Sequence, residues 1–141
     1  MINTSVHNCA TVELRSTVDI GSSLVIVENG INIPFDVKRI YYLYNVPGDQ
    51  VRGGHAHKRL RQLIVAACGS FEVILDDGKA KRTISLSGPK QGLLIVPGIW
   101  RELEHFSPDA VCLVLASLEY DEQDYIRDYE SFLIQKAGDI A

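Results

Sequence analysis

Long apolar runs are missing from this sequence. No window approaches the roughly 18 consecutive apolar residues of a membrane-spanning helix, and residues 1–15 lack a basic stretch leading into an apolar one. A membrane span and a secretory leader are therefore not expected, and the chain reads as cytoplasmic. Cysteine is sparse as well. Cys9, Cys68 and Cys112 are an odd number without paired spacing, so buried free thiols in a reducing compartment are expected rather than a disulfide framework. A surplus of basic charge is also lacking: 14 Lys and Arg stand against 18 Asp and Glu, for a net charge of −4. Nucleic acid is thus not an expected partner, and any basic site has to be a local cluster. Internal repeats, low-complexity tracts and linkers are absent too.

What remains is an ordinary globular composition, 46% hydrophobic and 23% charged over 141 residues. That length suffices for one domain, residues 1–141, to bury a core without disulfides or a structural metal. Short apolar or alternating runs at 23–26, 35–46, 62–68, 71–75, 81–86, 92–96 and 111–117 are separated by turn residues. This pattern predicts an antiparallel sandwich or barrel. Asp76-Asp77-Gly78, between two of the runs, is a hairpin signal because Asp and Gly tolerate the positive φ of a tight turn. Tyr125, Ile126, Tyr129, Phe132 and Leu133 then recur at helical spacing after Asp121-Glu122, whose charge favours a helix start, and so predict a C-terminal helix.

The chemistry concentrates in Arg52-Gly53-Gly54-His55-Ala56-His57-Lys58. In extended chain, residues two apart project to one face, so His55 and His57 are expected to point together. Two imidazoles so placed serve metal binding through ring nitrogens, acid/base catalysis near neutral pH, or a merely hydrogen-bonded pair. The stretch resembles the first motif of the cupins, in which Gly, His-x-His, Glu and Gly follow one another; Gln62 stands where that Glu is expected. The second cupin motif resembles Pro97-Gly98-Ile99-Trp100-Arg101, with Arg101 in place of a ligating histidine. A neutral amide and a permanent cation at two of four ligand positions argue against a tight divalent site and leave the histidines for proton transfer. Arg101 in the cavity would stabilise an anion or a phosphate; at the surface it would pair with Glu102 or Glu104.

Together with Lys38-Arg39-Ile40-Tyr41-Tyr42, Val73-Ile74-Leu75-Asp76-Asp77-Gly78 and Asp124-Tyr125-Ile126-Arg127, these motifs are similar to the sugar 3,4-ketoisomerases of dTDP-deoxysugar biosynthesis, a metal-free branch of the cupins. The resemblance implies an all-β fold: a cupin, or jelly-roll antiparallel β-barrel, with a short C-terminal helix. It also implies an isomerase that needs no cofactor and no metal. The substrate would be a dTDP-4-keto-6-deoxyhexose, whose ketone moves to C3. Catalysis falls to His55 as base, His57 as relay partner and Tyr41 on a sugar oxygen. Substrate binding falls to Arg52 at the diphosphate, Arg101, and Trp100 against thymine or sugar, unless Trp100 belongs to a core. Asp19-Ile20-Gly21-Ser22-Ser23-Leu24 departs from the family's Asp-x-Arg-Gly-x-Leu turn, which bears on the face at which C4 is reprotonated. A homodimer by exchange of N-terminal strands, residues 11–14 in particular, is expected by analogy. Rival readings are a nucleotide-sugar 3,5-epimerase, a non-catalytic nucleotide-sugar-binding cupin and a metal-dependent oxygenase or isomerase.

Overall fold

A computed structural model describes residues 3–140. The strands, in chain order, are β1 (Ala10–Glu13), β2 (Arg15–Asp19), β3 (Ser22–Ile26), β4 (Arg39–Tyr44), β5 (Arg52–His57) and β6 (Gln62–Cys68). They continue with β7 (Ser70–Asp76), β8 (Lys81–Ser87), β9 (Gln91–Ile95), β10 (Trp100–Glu104), β11 (Val111–Ala116) and β12 (Tyr125–Ile126), before helix α1 (Tyr129–Ile140). One antiparallel sheet runs β1-β9-β6-β11-β4, a second runs β12-β5-β10-β7-β8, and β2 and β3 form a separate hairpin. The two large sheets pack face to face as a jelly roll. Hydrogen bonding stays within each sheet instead of running continuously around a closed barrel.

Alternation along each strand decides what the sheets enclose. Between them lie Ile64, Phe71, Val73, Leu75, Leu86, Leu93, Ile95, Leu103, Cys112 and Val114. The outer face of β6 and β11 sends Leu63, Val65 and Leu115 under a second cluster with Leu14 and Ile33, against which Val25, Val27, Phe35 and Val37 pack. The predicted run at 35–46 therefore begins as covering chain and becomes strand at Arg39. A third cluster joins Ala56, Trp100, Ile126 and Phe132 beneath α1.

The Asp-Asp-Gly hairpin is as expected. Asp76 faces Lys81, Gly78 takes φ +90°, and Asp77 accepts from the N–H groups of Lys79 and Ala80. The C-terminal helix starts later than the acidic signal predicted. A short turn at Glu122–Asp124 leads into β12, whose Tyr125 and Ile126 pair with His57 and Ala56. Asp128, whose carboxylate accepts from the N–H of Ser131, then opens α1. Tyr125 and Ile126 fit both patterns, and pairing with β5 wins. Cys9 and Cys112 are buried as expected; Cys68 is exposed at the end of β6, and all three are free. Residues 10–13 lie on β9 of their own chain. No helix among the described residues is long and apolar enough to cross a membrane.

Candidate active site

Between the two sheets a cavity of about 340 Å³ opens, lined by β4, β5, β10, β11 and β12. Its floor is apolar, from Leu43, Leu103, Cys112 and Val114; its polar wall carries Arg39, Tyr41, Arg52, His55, Tyr125 and Arg127. None of the lining side chains is acidic, and Arg39, Arg52 and Arg127 make this wall a local basic cluster within a net-negative chain.

The glycine pair builds that wall. Gly53 and Gly54 take φ +86° and +67°. Arg101 pairs with His55 but the next residue of β10, Glu102, pairs with Gly53, leaving Gly54 as the extra residue of a bulge. Simple alternation would put Arg52 and His55 on opposite faces; the bulge restores Arg52 to the cavity side. A Cβ on Gly53 would sit 3.0 Å from Leu103 Cδ1 and 3.1 Å from the Arg101 carbonyl oxygen, so the close approach needs glycine.

His55 and His57 do converge, with ring centroids 4.8 Å apart and nearly perpendicular planes. Tyr125 packs on both, at 5.1 Å from His55 and 4.3 Å from His57. His55 lines the cavity, and its Nε2 is buried without a hydrogen-bond partner among the described residues. Burial, reinforced by the Arg101 charge, pushes its pKa down to about 3, so the ring is neutral at pH 7. His57 lies one layer deeper and is fully buried. Its Nδ1 is 3.1 Å from the Asp124 carboxylate, which also accepts from the backbone N–H groups of Arg59 and Leu60. A carboxylate neighbour by itself would favour imidazolium. Burial and then the Arg101 charge act more strongly and lower the His57 pKa, so the neutral ring donates from Nδ1 to Asp124 and keeps a lone pair on Nε2.

Tyr41 is on the cavity wall, its hydroxyl 3.1 Å from Gln62 Nε2, and burial raises its pKa. Arg101 is not at the surface with Glu102 or Glu104. It is 1% exposed, donates from Nε and Nη2 to the Ile99 carbonyl and from Nη1 to Gln62 Oε1, and stands behind the wall rather than in it. Burial lowers its pKa to about 10, still charged at neutral pH. Trp100 is a correction. As the neighbour of Arg101 on β10 it must project to the other face, where its indole packs on Tyr129 and Phe132, 5.2 and 5.8 Å away; it takes no part in lining the cavity.

Gln62 and Arg101, at the two positions where a cupin metal site would need ligands, are bound to each other, so the residues do not fit a divalent ion. Among the described residues, three side chains of ligating type meet at Glu72, Glu104 and His105, with His105 exposed and none of the three at the cavity. Sequence reasoning gave no role to Arg39, Tyr125, Arg127 or Asp124. Arg39 lies over the rings of Tyr41 and Tyr120 and donates to the Tyr125 hydroxyl at 3.3 Å. Arg127 lies 4.2 Å above the Tyr125 ring and grips Glu122 through two bonds of 2.6 and 2.9 Å, which holds the Glu122 carboxyl at about 2. The usable signal was period two: Arg39 and Tyr41 share a face of β4, and Tyr125 on β12 and Arg127 just beyond its end both line the cavity.

The family model described as FdtA, WxcM-like, C-terminal matches residues 7–137. The chain belongs to that family. It is 46% identical over 121 residues, 86% of this chain and 87% of the relative, to TDP-4-oxo-6-deoxy-alpha-D-glucose-3,4-oxoisomerase of Aneurinibacillus thermoaerophilus. A 3,4-ketoisomerase from Helicobacter canadensis superposes with a TM-score of 0.90 at 42% identity, covering 92% of this chain and 98% of that one. A sugar 3,4-ketoisomerase from Thermoanaerobacterium thermosaccharolyticum, solved in complex with TDP, gives a TM-score of 0.93 at 37% identity over 97% of this chain and all of the other. Membership makes the chain an isomerase with a cupin-like fold.

Proposed function

We propose that this protein is a dTDP-sugar 3,4-ketoisomerase, a single-domain enzyme that converts a dTDP-4-keto-6-deoxyglucose to its 3-keto isomer. The observation that carries the reading is a neutral histidine, His55, with a free, buried Nε2 in an otherwise cationic cavity, in a chain of this family. The C4 ketone acidifies the hydrogen on C3. His55 removes that proton to leave an enediolate and returns it to C4, while the C3 hydroxyl hydrogen is exchanged for one on the C4 oxygen, so the ketone ends at C3 and the formula is unchanged. On their own, burial and Arg101 disfavour the imidazolium; the negative charge of the bound diphosphate raises the His55 pKa toward the working pH, where the ring can both take the proton and give it back. General acid/base assistance of this kind contributes about 10²–10⁴-fold. His57, held by Asp124 and packed edge-on against His55, is its partner in proton relay, and Tyr41 serves the sugar oxygens.

Arg52, Arg39 and Arg127 supply bidentate donors for the diphosphate, and Leu43, Leu103 and Val114 face the apolar side of the deoxysugar. The proposed reaction needs no nicotinamide and no metal. The proposed assembly is a homodimer formed by N-terminal strand exchange. It is supported by the edge position of β1 and by exposed apolar side chains at Val18, Ile20 and Leu24 on the hairpin and Ile40, Tyr42 and Tyr44 on β4. Proton NMR of dTDP-4-keto-6-deoxyglucose mixed with chelator-treated, metal-assayed protein tests the function. Formation of the 3-keto sugar supports it; tight binding with unchanged sugar signals, or activity that returns only with added Fe, Mn or Zn, would overturn it.

A further inference from the structure

Two buried polar side chains, Arg101 and Gln62, lead to the half-buried Tyr41 at the cavity wall, and the direction of that chain is fixed by chemistry. A guanidinium has donors and no acceptor. With Arg101 Nη1 2.5 Å from the side-chain oxygen of Gln62, the amide has to present its oxygen to Arg101 and its NH₂ to Tyr41. The Gln62 Nε2 to Tyr41 hydroxyl bond of 3.1 Å then has the amide donating and the phenol oxygen accepting. The phenolic hydrogen has no acceptor on that side. On the other side, Arg39 lies over the Tyr41 ring and also offers donors alone.

We propose that Arg101 and Gln62 are positioning residues that make Tyr41 an obligate hydrogen-bond donor toward the cavity, where it stabilises the oxygen on which negative charge grows as C3 loses its proton. The inference rests on the ketoisomerase reading and deepens it. In the balanced step, the phenol donates its hydrogen to the C4 oxygen and recovers one from the C3 hydroxyl, leaving the tyrosine unchanged. Burial, which raises the Tyr41 pKa, keeps the phenol protonated for the task. The two residues that removed a cupin metal site thus supply in its place an oriented neutral donor for the same oxygen, the job a Lewis acid would do.

Gln62→Glu is the decisive variant because it is nearly isosteric and reverses the bond: a carboxylate accepts from Arg101 and from Tyr41 alike, turning the phenolic hydrogen away from the cavity. Gln62→Met removes the amide donor without offering an acceptor, and Tyr41→Phe removes the hydroxyl. The full-length proteins are labelled at tyrosine Cζ with carbon-13, and the Tyr41 resonance is assigned by its loss in Tyr41→Phe. We expect Tyr41 to titrate at higher pH in Gln62→Glu than in wild type, with Gln62→Met between them. We also expect Gln62→Glu to lower kcat about 10²-fold, as Tyr41→Phe does, with KM within about threefold. The double variant should be no slower than Tyr41→Phe. A Gln62→Glu enzyme with wild-type kcat and an unshifted Tyr41 titration would overturn the inference. If the wild type fails to isomerise, the ketoisomerase reading falls, while the carbon-13 titration, which needs no turnover, still decides the direction of the bond.

Discussion

At the scale of single residues, His55 is neutral at pH 7, where a water-exposed histidine is about one quarter charged. Its pKa is about 3 in the folded chain against about 6.5 when unfolded. Between those values the unfolded chain binds a proton that the folded one refuses. Stability from this group is therefore complete above about pH 6.5 and is lost as pH falls toward 3; His57, also shifted down, acts in the same sense. Thermal midpoints should fall from pH 7 to pH 5, and fall less in His55→Asn; an equal slope would show that other groups carry the acid sensitivity. A bound diphosphate brings negative charge toward the ring, so NMR titration should show the His55 pKa rising on addition of TDP. His55, His57, Tyr41 and Arg52 were legible in the sequence because a two-residue period or a glycine pair marks them locally. Asp124 was not. It reaches His57 across 67 positions of sequence, and only the fold brings β12 beside β5.

At the scale of elements, strand alternation and one bulge do most of the sorting. Trp100 and Arg101 are neighbours on β10, so both cannot serve one cavity, and the burial of Arg101 toward it sends Trp100 beneath α1. Trp100→Phe should lower stability by about 1–3 kcal/mol with the KM for the sugar nucleotide unmoved; a fully stable variant with a raised KM would put the indole at the substrate after all. The turns and central strands of the fold were legible from apolar runs and Asp-Asp-Gly. The polar strands β5 and β10 were harder to see, because their inward faces carry His55, His57 and Arg101 where a core strand would carry Val or Ile. Function displaced the hydrophobic signal there. Tyr125 and Ile126 were ambiguous for a different reason, as their spacing suits both the helix that follows and the strand they form.

At the scale of the whole molecule, the cationic cavity within a chain of net charge −4 concentrates attraction for an anionic nucleotide sugar at one place. The exposed apolar residues of the β2–β3 hairpin and of β4 lie on elements that a partner subunit would cover. Light scattering at micromolar concentration should return twice the chain mass; a monomer would contradict strand exchange. In the proposed reaction His55 carries one proton from C3 to C4, and dTDP-4-keto-6-deoxyglucose deuterated at C3, followed by NMR, reports that transfer. Wild-type protein should give the 3-keto sugar with part of the deuterium at C4, and His55→Asn should bind TDP yet leave the C3 label in place. Transfer undiminished in His55→Asn, or exchange at C5 with the ketone fixed at C4, would contradict it.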